Sequence, residues 1–363
     1  MRFKIKLNQN ITPLACDKTI YHLVLTPEGG EILEYEAGDW FVLKASNQPE
    51  WVEPLLQALN LSGSEVVKLR RPGEVTVREA LTEHLEISQL NPAILNKLQR
   101  QHQIGEWADR KEMIDTAYGR DILDLLSLFP ELKTWGLEFI SLLSPLGPRY
   151  YSIASAPAGV GNEAHLVVKE VVYQNLAISE RLHFGVVSHS VSLLKAGGIV
   201  EGDIRRNPTF QLPDNPDTPI IMHGAGTGIS PYIGFLQQRI ADQSEGENTL
   251  LFGETQQACS FLFKDFLHDC VAQNKLTLIT AFSRDQAEKI YVQDRIVEHA
   301  ASLWKQMQAG AHLYVCGSQY GLAEGVKQAW LSLIMQFDRV DLETAEQTWQ
   351  GWRKQKRLQM DVY

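Results

Sequence analysis

From residue 219 onward, short apolar runs alternate with helical stretches, and this alternation constrains the fold more than any other feature of the sequence. The runs are PIIMHG, NTLLFGE, KLTLITAFS and HLYVCGS, and segments such as SPYIGFLQQRIADQ separate them. Strands this short and this continuously apolar are covered on both faces. Joined by helices, they predict a parallel sheet of doubly wound α/β type.

The earlier part of the chain reads differently. Residues 18–45 hold runs rich in Val, Ile, Tyr and Leu, broken by PEGG and AGD, which predicts β-strands joined by tight turns. Residues 50–145 show apolar residues at helical spacing, and strand-like sequence returns at HLVVKEVVY, residues 165–173. NPTFQLPDNPDTP, residues 207–219, is rich in Pro, Asn and Asp and suits a boundary. The expected architecture is therefore a β-barrel domain with a helical insertion at about 68–140, covering residues 1–215, followed by an α/β doubly wound domain over 216–363.

Composition narrows the function. A length of 363 residues suits two domains, and 44% hydrophobic with 21% charged residues suits a packed globular protein. The formal net charge of −10 argues against broad non-specific nucleic-acid binding. The N-terminus lacks the apolar core of a secretory signal, and no stretch is apolar enough to span a bilayer. Cys16, Cys259, Cys270 and Cys316 form no C-x-x-C pair, so neither a disulfide framework nor a zinc site is expected, and a reducing cytoplasm fits best.

Five segments carry possible chemistry. GAGTGIS follows the strand PIIMH; Gly224, Gly226 and Gly228 with Thr227 allow a tight turn and close approach of a phosphate to a helix N-terminus. The spacing matches neither G-x-G-x-x-G nor the P-loop, and a plain strand-to-helix turn is the alternative reading of it alone. SRDQAEKIYVQ ends a later strand, where Arg284 and Lys289, flanking Ser283 and Tyr291, could meet a phosphate or form a solvated charged loop. PRYYSIAS holds Arg149, Tyr150, Tyr151 and Ser152, suited to a pyrophosphate and a flat ring, or to an ordinary strand. Cys316 ends an apolar strand, and the chain closes on DVY.

Together these pieces resemble the reductase half of the NADPH-dependent diflavin enzymes, above all the flavoprotein subunit of assimilatory NADPH sulfite reductase, with cytochrome P450 reductase as a relative. The resemblance runs from HLVL near residue 22 through RYYSIAS, GVVS, TPIIMHGAGTGISPY, LLFGE, FSRDQAEKIYVQ and YVCGS to DVY. It implies a ferredoxin-NADP reductase-like fold with FAD and NADPH as cofactors. By this likeness Arg149 binds the FAD pyrophosphate, Tyr151 packs on the isoalloxazine with Tyr150 beside it, and Ser152 lies near flavin N5. Tyr173 is implied near the FAD adenosine, and Gly185, Val186, Val187 and Ser188 at the FAD pyrophosphate. Gly224 to Pro231 are implied under the NADPH pyrophosphate, and Ser283, Arg284, Lys289, Tyr291 and Gln293 around the 2′-phosphate. Cys316 is implied beside the nicotinamide, Asp361 on the hydride path, and Tyr363 over the flavin. No metal is implied.

The sequence also departs from that family. Met1 lies a short way ahead of the first expected strand, so the FMN domain is expected to be absent and electrons to leave for a separate FMN, flavodoxin-type or haem protein. Ser318 and Gly325 stand where the relatives carry Asp, and GVVSHSV lacks the usual Leu-Ala. These departures keep open a second reading, an FAD-binding subunit or scaffold with little NADPH turnover. NADH as donor is a third, which the charges of Arg284 and Lys289 oppose.

Overall fold

The structure is a computed structural model, and it describes residues 1–13 and 15–363. The chain forms two compact units. One comprises residues 1–42, 150–169 and 195–363; the other comprises 43–149 and 170–194.

The strands, in chain order, begin with β1 (Arg2–Asn10), β2 (Ile20–Pro27) and β3 (Trp40–Leu43). Two short hairpin strands follow, β4 (Val66–Lys68) and β5 (Glu74–Thr76). Next come β6 (Arg149–Ser152), β7 (Ala164–Lys169), β8 (Val172–Gln174), β9 (Leu182–Phe184) and β10 (Ile199–Arg205). The last five are β11 (Ile220–Ala225), β12 (Asn248–Glu254), β13 (Thr277–Phe282), β14 (His312–Gly317) and β15 (Leu358–Val362).

The first unit contains a six-stranded sheet in the order β6-β3-β10-β1-β2-β7, antiparallel where β1 meets β10 and β2 and where β2 meets β7. β1 was not among the expected strands. Its RFKI start buries Phe3 and Ile5 on one face and exposes Arg2 and Lys4, the alternation of a half-buried strand. The basic residues of that alternation had masked it as a polar lead-in. The expected strand 165–173 divides into β7 and β8, with Glu170 and Val171 between them.

The same unit contains a five-stranded parallel sheet in the order β13-β12-β11-β14-β15. β11 to β14 coincide with the four apolar runs read from sequence, and every residue of β12 is buried, as strands covered on both faces require. β15 is additional: its LQMDV has no long apolar run, but it gains a ladder by lying along β14. The strand order changes direction between β11 and β14, running outward to β12 and β13 on one side and to β14 and β15 on the other; this is the switch point at which open α/β sheets bind ligands beyond the carboxyl ends of their strands. The proline-rich stretch before β11 carries Phe210, fully buried against Phe235 and Tyr314.

The second unit is mainly helical. Helices such as Pro49–Ala58, Arg110–Ala117 and Ile122–Leu128 pack a core that includes Val52, Leu56, Leu95, Leu125 and Phe139.

One expectation about cysteine is overturned. Cys16 and Cys259, separated by 243 residues, are joined in a disulfide with Cα atoms 5.6 Å apart. No spacing rule applied to the sequence finds such a pair, because the fold alone brings the two positions together. Cys270 and Cys316 are free and buried.

Candidate functional site

The carboxyl ends of the parallel strands open on a cleft of ≈ 340 Å³, within the range of small-molecule sites. Its floor is the turn after β11. Gly226 takes φ +57°, which favours glycine, and a Cβ on Gly228 would stand 2.1 Å from the Cys316 carbonyl oxygen. The turn is thus pressed directly against the end of β14. The helix Ser230–Ala241 follows, with Pro231 in its first turn and Phe235 and Leu236 in the core, so its N-terminal amides face the same end of the sheet. Gly228→Ala should destabilise the protein by about 1–3 kcal/mol, because backbone and not a flexible side chain must yield. Thermal melting checks this; an unchanged melting temperature would mean that the turn can relax.

Thr227, Ser283, Tyr291, Gln293 and Tyr363 line this cleft. Gln293 Oε1 is buried with no hydrogen-bond partner, and a Cβ on Gly325 would press its Cδ at 2.9 Å. The glycine at 325 therefore gives Gln293 its space. Ser318 accepts a hydrogen bond from the Gly321 amide at 2.9 Å, capping the turn after β14. Arg284 and Lys289 are not in the lining. The Arg284 amide donates to the Thr255 carbonyl at 2.7 Å, while its guanidinium pairs with Asp17 at 2.6 Å. Lys289 is exposed. Sequence reasoning missed Lys18, Lys169 and Glu254, which also line the cleft. Lys18 pairs with the buried Glu254, whose carboxylate also accepts from Ser260 Oγ at 2.9 Å and from the Thr255 amide at 2.7 Å. An acid at the end of NTLLFGE was a readable signal for Glu254; nothing local marked the lysines.

Beside the switch point lies a second cluster. β15 pairs Asp361 with Cys316 in register. Ser152 Oγ donates to Asp361 Oδ2 at 2.5 Å, and Trp40 Nε1 lies 3.2 Å from both carboxylate oxygens. Trp40, missed from the sequence, directly follows the AGD turn. Burial raises the Asp361 carboxyl above its ordinary value, although the bonds from Ser152 and Trp40 oppose the shift. Burial also pushes the Cys316 thiol well above its usual range, and the Asp361 charge adds to this, so the thiol stays protonated at neutral pH. The cluster is a water-poor group of a hydroxyl, a thiol and a carboxylate, able to hold a proton or steady a developing charge.

The C-terminus is anchored. The Tyr363 amide donates to the Gly317 carbonyl at 3.1 Å, and its hydroxyl lies 2.8 Å from Thr227 Oγ1. The residue as a whole is 68% exposed, yet desolvation of its hydroxyl, with the neighbouring Cys316 adding to it, pushes that group up to about 12. Tyr150 is exposed and meets Trp40 edge-on at 5.7 Å; Tyr151 is half-buried.

In the second unit, Arg149 donates to Glu86 at 2.8 Å and to the Gly147 carbonyl at 2.7 Å. Tyr173 stacks on His183 with centroids 5.1 Å apart. Gly185 opens the helix Val186–Leu193. Ser188 Oγ accepts from the Val171 amide and donates to the Gly185 carbonyl, both at 3.1 Å, which fixes the turn. The amides of Val186 and Val187 have no carbonyl within reach inside their own helix.

Residues 1–190 match the FAD binding domain family, and residues 222–328 match the oxidoreductase NAD-binding domain. The chain belongs to the FAD-binding domain family. Curated relatives extend the match along the chain. The sulfite reductase [NADPH] flavoprotein alpha-component of Mannheimia succiniciproducens is 36% identical over 366 residues, covering 99% of this chain and 60% of that protein. The same component of Serratia proteamaculans is 37% identical over 367 residues, with 99% and 60% covered. That of Neisseria meningitidis serogroup B is 36% identical over 363 residues, with 98% and 59% covered. The chain spans about 60% of the length of these relatives.

As an FAD-binding family member with an NAD-binding domain, the chain offers groups that fit both cofactors. The buried, unpartnered Gln293 Oε1 is an acceptor that a nucleotide amine or hydroxyl would satisfy. The Gly226–Gly228 cradle would be filled by any side chain. The open amides of Val186 and Val187 suit a phosphate at a helix start. Among the described residues, no helix is long and apolar enough to cross a membrane.

Proposed function

We propose that this chain takes hydride from NADPH onto FAD and passes the electrons to a separate protein acceptor, of FMN or flavodoxin type or the haem subunit of a sulfite reductase. The observation that carries this reading is the Ser152–Asp361–Cys316 cluster beside the glycine cradle of a parallel sheet. Arg149, Tyr150, Tyr151, Ser152, Tyr173 and residues 185–188 would hold the FAD. Gly224 to Gly228 with Ser283, Arg284, Lys289, Tyr291 and Gln293 would hold the NADPH. When bound, FAD would supply the hydride-accepting and electron-releasing chemistry. The protein's own task is positioning: Ser152 and Cys316 present hydrogen-bonding groups, Asp361 fixes the Ser152 hydroxyl, and Tyr363 covers the site until a nicotinamide displaces it.

The same proposal includes closure of the six-stranded sheet into a barrel and a cytoplasmic location. It assigns residues 1–215 to FAD and 216–363 to NADPH, which the family matches ending at 190 and beginning at 222 support. The absorption spectrum of purified protein, before and after one equivalent of NADPH without oxygen, tests the activity. Flavin bands that bleach meet the expectation. Bands that persist favour the alternative, an FAD-binding subunit or scaffold with little turnover of its own; the pairing of Arg284 with Asp17 is what keeps that reading open.

Deleting Tyr363 should raise NADH use, because the ring no longer competes with a nicotinamide for its place. Steady-state kcat/KM for both dinucleotides checks this, and an unchanged ratio would mean that Tyr363 covers nothing.

A further inference from the structure

The segment Cys16–Lys18 lies against the ends of β12 and β13, where the SRDQAEK turn begins. Three contacts hold it there. Cys16 is bonded to Cys259, in the short helix Gln257–Ser260 after β12. Asp17 pairs with Arg284 at 2.6 Å. Lys18 pairs with Glu254. The two turns they join are themselves bonded, because the Arg284 amide donates to Thr255 and the Gln257 amide donates to Asp285 at 3.0 Å. The disulfide thus fastens the segment to the turn that neighbours Arg284, and Asp17 is the next residue along.

We infer that Asp17 is a specificity-determining residue: held by the Cys16–Cys259 disulfide, its carboxylate occupies the Arg284 guanidinium and competes there with the 2′-phosphate of the dinucleotide. The inference rests on the reading of Arg284 as the 2′-phosphate partner. A phosphate and a carboxylate want the same planar fork of donors. The Asp17–Arg284 pair is half exposed, at 50% and 57%, so the attraction alone is modest. The tether raises the carboxylate's effective concentration at Arg284 without any new contact. Reduction by a dithiol breaks the S–S bond. Two electrons and two protons convert the sulfurs into two thiols, and the dithiol becomes its cyclic disulfide. Asp17 is then free to leave, and Arg284 opens to phosphate.

The test uses the FAD-loaded protein, with adenosine 2′,5′-bisphosphate and 5′-AMP as probes that differ only in the 2′-phosphate. Affinities are measured by calorimetry at low salt, after treatment with oxidised or reduced dithiothreitol. Thiol titration under denaturing conditions should count two thiols in the first state and four in the second. Reduction should tighten bisphosphate binding by about two- to fivefold and leave 5′-AMP unchanged. Asp17→Asn should give the tighter binding in both redox states, and Cys16→Ser should behave as the reduced protein. Unchanged bisphosphate affinity in Asp17→Asn overturns the proposal while leaving Arg284 as the phosphate partner. A disulfide that never forms, or one whose reduction leaves both affinities unchanged, overturns the tether. Arg284→Ala is the control: if it does not weaken bisphosphate more than 5′-AMP, the reading beneath the proposal fails, and the proposal with it.

Discussion

Asp361→Asn is expected to slow reduction of the bound flavin by NADPH by about 10²-fold. The carboxylate accepts from Ser152 at 2.5 Å and from Trp40 at 3.2 Å, in register with Cys316. Removing one preorganised group from a buried cluster of this kind typically costs 10²–10³ in rate. The pH dependence adds a second readout. Burial raises the Asp361 carboxyl, so its charge is lost, as pH falls, at a pH above the ordinary carboxylate range. The parent should therefore lose rate on that acidic limb, and the Asn variant should lack the limb. Stability has the opposite sign. A carboxyl raised on folding contributes stability at low pH that is lost as pH rises through its folded value. Above that folded value the buried charge costs the fold; Asp361→Asn relieves this cost while weakening the bonds to Ser152 and Trp40, and should melt close to the parent. Stopped-flow flavin reduction and thermal melts distinguish the two effects. A variant of wild-type rate with the acidic limb intact would remove Asp361 from the chemistry.

Arg284→Ala is expected to lower kcat/KM for NADPH by about 10- to 100-fold and to change NADH by less than about twofold, since a hydrogen bond to a charged group contributes about 1.5–3 kcal/mol. The low end of that range is expected where the phosphate must first displace Asp17, so the loss should be larger in an Asp17→Asn background. The two residues touch, and their effects should not be additive. Steady-state kinetics with both dinucleotides, in parent, single and double variants, measures this coupling. Equal losses for NADPH and NADH would show that Arg284 reads no 2′-phosphate.

Much of this was legible in the sequence. The runs at β11 to β14 carried the period of buried strands, and the glycines of GAGTGIS marked a turn at which only glycine fits, as Gly228 against Cys316 demonstrates. Resemblance brought Ser152, Cys316, Asp361 and Tyr363 onto one short set of positions, and the fold gathers those four into one region, with Asp361 in register with Cys316. β1 was missed because its basic alternation looked like a tail, although Phe3 and Ile5 already had a spacing of two.

The sequence by itself determined the strand–turn–helix grammar, the glycine cradle and the residue types available for a flavin and a phosphate. Each of these is encoded within a few neighbouring positions, through periodicity or backbone freedom. Only the tertiary structure decided which charges and thiols meet. Trp40 reaches Asp361 across 321 residues, Asp17 reaches Arg284 across 267, and Cys16 is bonded to Cys259 across 243. Contacts at such separations leave no periodic trace in the chain. They arise because packing of the sheets fixes distant segments side by side, and the energy of each pair is available only once that packing is complete.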